Sequence, residues 1–232
     1  MEVFSQGLTM AVKLLLAGDP EIIEIALLTL RVSCTATLIA VLIGVPLGFL
    51  LALKSFSGRN ILISLINYGM GLPPVVVGLV VWLLLSRYGP LGMLNMLYSP
   101  GAMITAQGVI AFPIVAGFTL AAFQQLHPKL KLQILSLGAT KLQLLWLMAR
   151  EARLGLLAAV IAGFGGAVSE VGASMMVGGN LVGYTRTLTT ATVLAVNKGQ
   201  QEMGMALSLI LLIIAFSITV VLTMAQQRGR CP

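Results

Sequence analysis

Four stretches of this chain, residues 32–53, 61–85, 103–123 and 205–225, contain no Asp, Glu, Lys or Arg. A fifth, residues 154–178, contains only Glu170. A helix of about 20 apolar residues crosses a hydrocarbon core of roughly 30 Å, so each stretch can span a bilayer. A water-soluble fold of 232 residues cannot hide five such segments, because a chain of this size keeps a large exposed surface. Only 9% of the residues are charged, against roughly 25% in soluble domains. The expected fold class is therefore an all-α integral membrane domain with five transmembrane helices.

The remaining segments are assigned around those spans. Residues 187–197 are apolar in part but too short to cross, which suits a partial or re-entrant helix. Residues 3–17 mix Gln6, Thr9 and Lys13 with apolar side chains, as an interfacial amphipathic helix does. This divides the chain into an N-terminal amphipathic segment (1–31), a membrane domain (32–225) and a tail (226–232). No cleaved signal peptide is expected, since a basic n-region and an A-x-A site are missing. Asp19-Pro20-Glu21 and Ser99-Pro100 read as helix starts, with a capping side chain followed by proline at the first helical position. Gly178-Gly179-Asn180 reads as a helix stop.

Basic residues predict sidedness, because cytoplasmic loops collect Lys and Arg. With five spans, Lys54, Arg59, Lys129, Lys131, Lys141, Arg150, Arg153, Arg228 and Arg230 fall on one side. Lys13, Arg31, Arg87, Arg186 and Lys198 fall on the other, so nine of fourteen basic residues favour a cytoplasmic C-terminus and an outside N-terminus. The net charge of +7 thus follows topology, and its dispersal around the spans argues against a nucleic-acid partner. Cys34 and Cys231 lie on opposite sides in this scheme, which excludes an intrachain disulfide. His127 is the only histidine, and no metal-ligand spacing exists.

The connection at residues 124–153 is longer than a simple reversal requires. Its leucines, isoleucine and Trp146 alternate with Lys and Gln. That pattern suits either a helix on the membrane surface or a pair of docking helices kinked at Gly138. Within the second span, Gly69, Gly71, Pro73 and Pro74 must break the helix. Such breaks persist in lipid where they face protein or a watery cavity, so they mark either the transport pathway or a packed kink. Glu170 in mid-span costs about 2.5–3.5 kcal/mol to insert, and it either gates or pins a bent helix. Arg186, among Thr185, Thr187, Thr189, Thr190 and Thr192, offers donors to a tetrahedral oxyanion. Anchoring the headgroup region is the equal alternative for Arg186. Gly44 and Gly48 are expected to permit close helix packing.

Residues 136–163, SLGATKLQLLWLMAREARLGLLAAVIAG, resemble the cytoplasmic "EAA" signature of ABC importer permeases. Gly138 stands at the signature glycine, and Ala139 follows it. Leu132, Gln133 and Ile134 replace the E-A-A triplet, and Glu151-Ala152-Arg153 replaces a later Leu-Pro. Downstream, SEVGASMMVGGN (169–180) and GYTRTLTTA (183–191) resemble the oxyanion branch, most of all its tungstate type, which is related to molybdate and sulfate permeases. The segments DPEIIEIALLTLRVS (19–33) and GLPPVVVGL (71–79) fit the same group.

The resemblance implies a type I importer permease fold with cytoplasmic coupling helices, in which Leu137, Gly138, Ala139 and Leu142 meet an ATPase. It also implies a substrate pathway or gate involving Gly71, Pro73, Pro74, Glu170 and Arg186. The implied partners are a second copy of the chain, cytoplasmic ATP-binding subunits, a periplasmic or lipid-anchored binding protein and membrane lipid. The chain has no G-x-x-x-x-G-K-[ST] loop, so it is not expected to be an enzyme. ATP and magnesium belong to the partner, and no cofactor to this chain. A secondary transporter would show paired repeats and more ionisable residues in its spans. A channel would not need the long docking connection.

Overall fold

The computed structural model describes residues 2–227, which form helices joined by turns and loops, with no strands among them. Cys231, Arg228, Arg230 and residues 228–232 of the expected tail lie outside the described residues. The helices are α1 (Glu2–Ala17), α2 (Pro20–Leu53), α3 (Arg59–Met70), α4 (Pro74–Leu85), α5 (Pro100–Gln124), α6 (Leu130–Ser136), α7 (Lys141–Glu151), α8 (Arg153–Val168), α9 (Gly172–Gly178), α10 (Leu188–Asn197) and α11 (Gln201–Gln227). Three of them, α2, α5 and α11, are long and apolar enough to cross a membrane unaided. The other two expected spans are bent pairs: α3 meets α4 at 104°, and α8 meets α9 at 58°. Five spans therefore result if each bent pair counts as one.

The sequence boundary at residue 31 falls inside a continuous helix. Asp19 Oδ1 accepts hydrogen bonds from the backbone N–H of Glu21 (2.9 Å) and Ile22 (3.4 Å), and Pro20 opens the helix. Nothing between there and residue 32 interrupts the turn-to-turn bonding, so α2 runs for 34 residues, or about 51 Å. Its first three turns extend beyond the charge-free run. The helix expected over residues 3–17 is present as α1, and it is packed against protein. Ala11 is buried in a cluster with Ile22, Leu188, Ala206 and Ile210.

At the centre stands α5, with 56% of its most apolar window buried against 17% for α11. Ser99 caps it, accepting from the Ala102 N–H at 3.4 Å. The α2–α5 seam is close because Gly48 has no side chain. A Cβ there would lie 2.7 Å from the Ala116 carbonyl and 2.8 Å from Thr119 Cβ. The packing role expected of Gly44 and Gly48 is thus what the seam shows. Between helices in lipid, such close approach supplies dispersion contact where no hydrophobic drive exists.

The ends of the bundle are chemically distinct. At one end Arg59 Nε donates to the Leu51 carbonyl, and Lys131 Nζ to the Leu53 carbonyl at 3.5 Å. These two cations cover the unpaired carbonyls at the C-terminus of α2, where the helix dipole is negative. Gln226 joins the same end by donating to the Leu154 carbonyl at 2.8 Å. The first connection, the long connection and the end of α11 therefore share one side, as the basic residues predicted. At the other end the Tyr98 N–H donates to the Val177 carbonyl (2.8 Å), and the Leu188 N–H to Thr29 Oγ1 (2.9 Å).

Candidate translocation elements and coupling face

Each half of the α3–α4 pair has 12 residues, about 18 Å, too short to cross alone. Gly71 ends α3, and Pro73 and Pro74 start α4. Proline cannot donate to the preceding turn, and two in succession beside Gly71 break the helix here, whereas the single prolines Pro46 and Pro113 lie inside α2 and α5. The second halves of the two bent pairs pack on each other. A Cβ on Gly78 of α4 would lie 2.6 Å from Ala173 Cα of α9. One on Gly172 would meet Val75 Cγ2 at 3.0 Å and Glu170 Oε1 at 3.6 Å. The structure thus brings the Pro73–Pro74 break and Glu170 together, although about a hundred residues separate them in sequence.

Glu170 is 6% exposed and lies just before α9. Its Oε1 accepts the Ala173 N–H at 2.7 Å, and its backbone carbonyl accepts Thr189 Oγ1 at 3.3 Å. A carboxylate at a helix N-terminus satisfies an otherwise unpaired donor and faces the positive end of the dipole. The bond ties the Glu170 side chain to the first turn of α9.

Arg186 is placed elsewhere. It lines a cavity of about 180 Å³ with Asp19, Glu21, Lys198 and Gln200. Its guanidinium lies 3.6 Å from Glu21, while its buried Nε has no hydrogen-bond partner. The hydroxyls expected to join it as oxyanion donors are used within the loop. Thr185 Oγ1 donates to the Gly178 carbonyl and accepts the Leu181 N–H. Thr187 and Thr190 form a capping box for α10. Thr189 bonds Glu170, and Thr192 bonds the Leu188 carbonyl.

One polar group went unnoticed in the sequence. Gln107, in the middle of an apolar run, is 2% exposed. Its Oε1 accepts from Ser33 Oγ of α2, and its Nε2 donates to Ser174 Oγ of α9, each at 3.1 Å. A paired amide is the form in which such a group survives away from water. The signal available was an amide flanked by Ala106 and Gly108, small residues that allow helices to approach.

The long connection forms two helices joined by a turn. Gly138 adopts φ +79°, a left-handed conformation that side chains rarely adopt. Thr140 and Gln143 then form a capping box that starts α7. Leu137 and Leu142 are 87% and 76% exposed, and Trp146 and Leu132 are exposed beside them. Arg150 stacks over the Trp146 ring at 5.4 Å. Ala139 differs from the expected contact: it is half-buried and packs inward against Phe123, Ile134, Met148 and Ala152. The apolar face is therefore built from Leu132, Leu137, Leu142 and Trp146.

The chain matches known proteins over most of its length. Residues 44–228 match the family described as "Binding-protein-dependent transport system inner membrane component". The tungstate uptake system permease of Peptoclostridium acidaminophilum is 39% identical, with 98% of this chain and 100% of the relative covered. That of Campylobacter jejuni is 35% identical, with 95% and 92% covered. The molybdenum transport system permease of Escherichia coli K12 is 27% identical, with 81% and 85% covered. A crystal structure of an amino acid ABC transporter with histidines superposes with a TM-score of 0.66, covering 92% of this chain and 96% of that one, at 19% identity. That likeness supports the fold. The chain belongs to the family of inner membrane components of binding-protein-dependent transport systems.

Proposed function

We propose that this chain is the permease subunit of an ATP-driven importer that carries tungstate across the cytoplasmic membrane. The observation that carries the importer reading is the exposed apolar face of α6 and α7 on a member of this family. Leucines and a tryptophan exposed at the basic end of the bundle need a partner surface. Cytoplasmic ATP-binding subunits supply that partner, together with the ATP and magnesium. The substrate reading rests on similarity to tungstate permeases across nearly the whole chain. Molybdate or sulfate is the second reading, favoured by the 27% identity to a molybdenum permease.

In this reading two copies of the chain pair, and a periplasmic or lipid-anchored binding protein delivers the anion to the end opposite α6 and α7. The N-terminus lies outside and the C-terminus in the cytoplasm. ATP-driven closure of the partner subunits displaces α6 and α7, and the spans swing at the breaks after Gly71 and Val168. Selectivity resides mainly in the binding protein, since the threonines beside Arg186 are already engaged.

The test is uptake of labelled tungstate into proteoliposomes holding the chain with its ATPase and binding protein. Tungstate uptake should require all three components and ATP, with molybdate and sulfate competing less well. Uptake without the ATPase would sink the importer reading in favour of a secondary transporter or channel. Better competition by molybdate or sulfate would overturn the choice of substrate alone.

A further inference from the structure

The outer part of α2 bears two charges that the transport reading does not use. Arg31 is the first charge beyond the apolar run 32–53, which is about 33 Å long as a helix, the thickness of a hydrocarbon core. Arg31 is therefore held at the hydrocarbon boundary. It shares a face of α2 with Leu27, Leu38 and Leu42, which are exposed. Its Cα–Cβ bond leans toward the helix N-terminus, as in every α-helix, so its guanidinium rises toward the headgroup layer.

Glu24 lies seven residues earlier, two turns or about 10.5 Å up the helix. Both side chains are exposed, and neither has an ion-pair or hydrogen-bond partner among the described residues. Both line one open groove of about 620 Å³. Ile23, Leu27 and Leu28 form its apolar floor, while Pro100 and Tyr184 wall it. Glu24 Oε1 lies beside Gly183 on that wall.

We infer that this groove binds a phospholipid whose headgroup carries a primary ammonium beside its phosphate and no further carboxylate to oppose Glu24, that is, a phosphatidylethanolamine. Arg31 takes the phosphate, because a guanidinium pairs two oxygens at once. Glu24, farther from the hydrocarbon, takes the ammonium. The acyl chains descend along the leucine face of α2. The order of charges along the helix, cation at the boundary and anion above it, matches the order of phosphate and amine in that lipid. An anionic lipid lacking the amine would leave its outer headgroup facing Glu24.

Lipid titration followed by native mass spectrometry tests this on the full chain, delipidated in detergent. The wild type should bind its first phosphatidylethanolamine about fivefold more tightly than phosphatidylglycerol or phosphatidylcholine. R31Q should weaken every phospholipid, with R31K restoring much of the loss. E24Q should keep phosphate-dependent binding and lose the preference for ethanolamine over choline. Equal binding by wild type and R31Q would overturn the site, and so would a wild-type preference for phosphatidylglycerol. A change in subunit number or in binding-protein docking in R31Q, with lipid binding intact, would instead assign the groove to a protein and overturn the lipid.

Discussion

Gly78 and Ala173 touch backbone to backbone: a Cβ added at residue 78 would stand 2.6 Å from Ala173 Cα. No rotamer change relieves a clash with a Cα atom, so α4 would have to leave α9. Gly78→Ala should therefore destabilise the permease by about 1–3 kcal/mol. Gly71→Ala is the control, since its Cβ would meet only the Tyr68 carbonyl at 3.7 Å. Thermal unfolding in detergent should show a lowered Tm for Gly78→Ala and little change for Gly71→Ala. Equal effects would contradict the packing described.

Glu170 is a cap before it is a charge. Glu170→Gln keeps an oxygen for the Ala173 N–H, whereas Glu170→Ala strands that donor in a buried site. The alanine variant should lose about 1–2 kcal/mol of stability and transport poorly. The glutamine variant should assemble and transport nearly normally. Normal assembly without transport in Glu170→Gln would point to a charge-dependent gate instead.

How the sequence announced these features differs from case to case. Caps at Asp19 and Ser99, the stop at Gly179 and the turn at Gly138 depend on residues within four positions of one another. Local chemistry suffices to place them. The break at Pro73 and Pro74 was equally local, but no local pattern encodes the 104° angle across it or the packing of α4 on α9. Glu21 and Arg186 pair across the chain, as do Ser33, Gln107 and Ser174. The threonines near Arg186 looked like ligand donors because hydroxyl composition does not reveal which of them are already spent on capping.

The polar link through Gln107 gives a third prediction. Gln107→Leu preserves bulk and removes both bonds, freeing α9 from α2. Interhelical hydrogen bonds in membranes average about 0.6 kcal/mol and reach about 1.7 kcal/mol, so a loss within about twice that range is expected. Gln107→Leu should lower the Tm in detergent, Ser33→Ala and Ser174→Ala should each lower it less, and Ser33→Ala should add little to Gln107→Leu, because the bond it removes is already gone. An unchanged Tm in Gln107→Leu would show that the amide does not hold α9 in place.

Coupling is tested at Gly138. Its added side chain meets nothing within 4 Å, and Asp tolerates the left-handed region better than most residues. Gly138→Asp should therefore fold, yet it places a charge beside Leu137 and Leu142 in a face whose contact core excludes charge. Co-purification of the ATPase and tungstate uptake should fall together, by about tenfold or more. Full uptake would remove α6 and α7 from the coupling role.

Topology can be read from two exposed positions. Cysteines at Ser57 and Met93, in a background with both Cys34 and Cys231 replaced by alanine, should label from opposite sides of the membrane, Ser57 from the cytoplasm. Met93 is 85% exposed, whereas Ser99 is occupied as a helix cap. Labelling of both from one side would end the five-span arrangement.

Ala152 is the only residue between α7 and α8, and it closes one helix while opening the next. A junction that short cannot absorb displacement as a flexible tether would, so in the proposed coupling a movement of α6 and α7 turns α8 as a crank. Its 16 residues give an arm of about 24 Å. A tilt of about ten degrees at the docking end would carry the far end, next to Glu170, sideways by about 4 Å. That throw falls short of the roughly 5.4 Å pitch of a helix, yet the backbone contact between Gly78 and Ala173 has no room to absorb it, so α4 and α9 must repack.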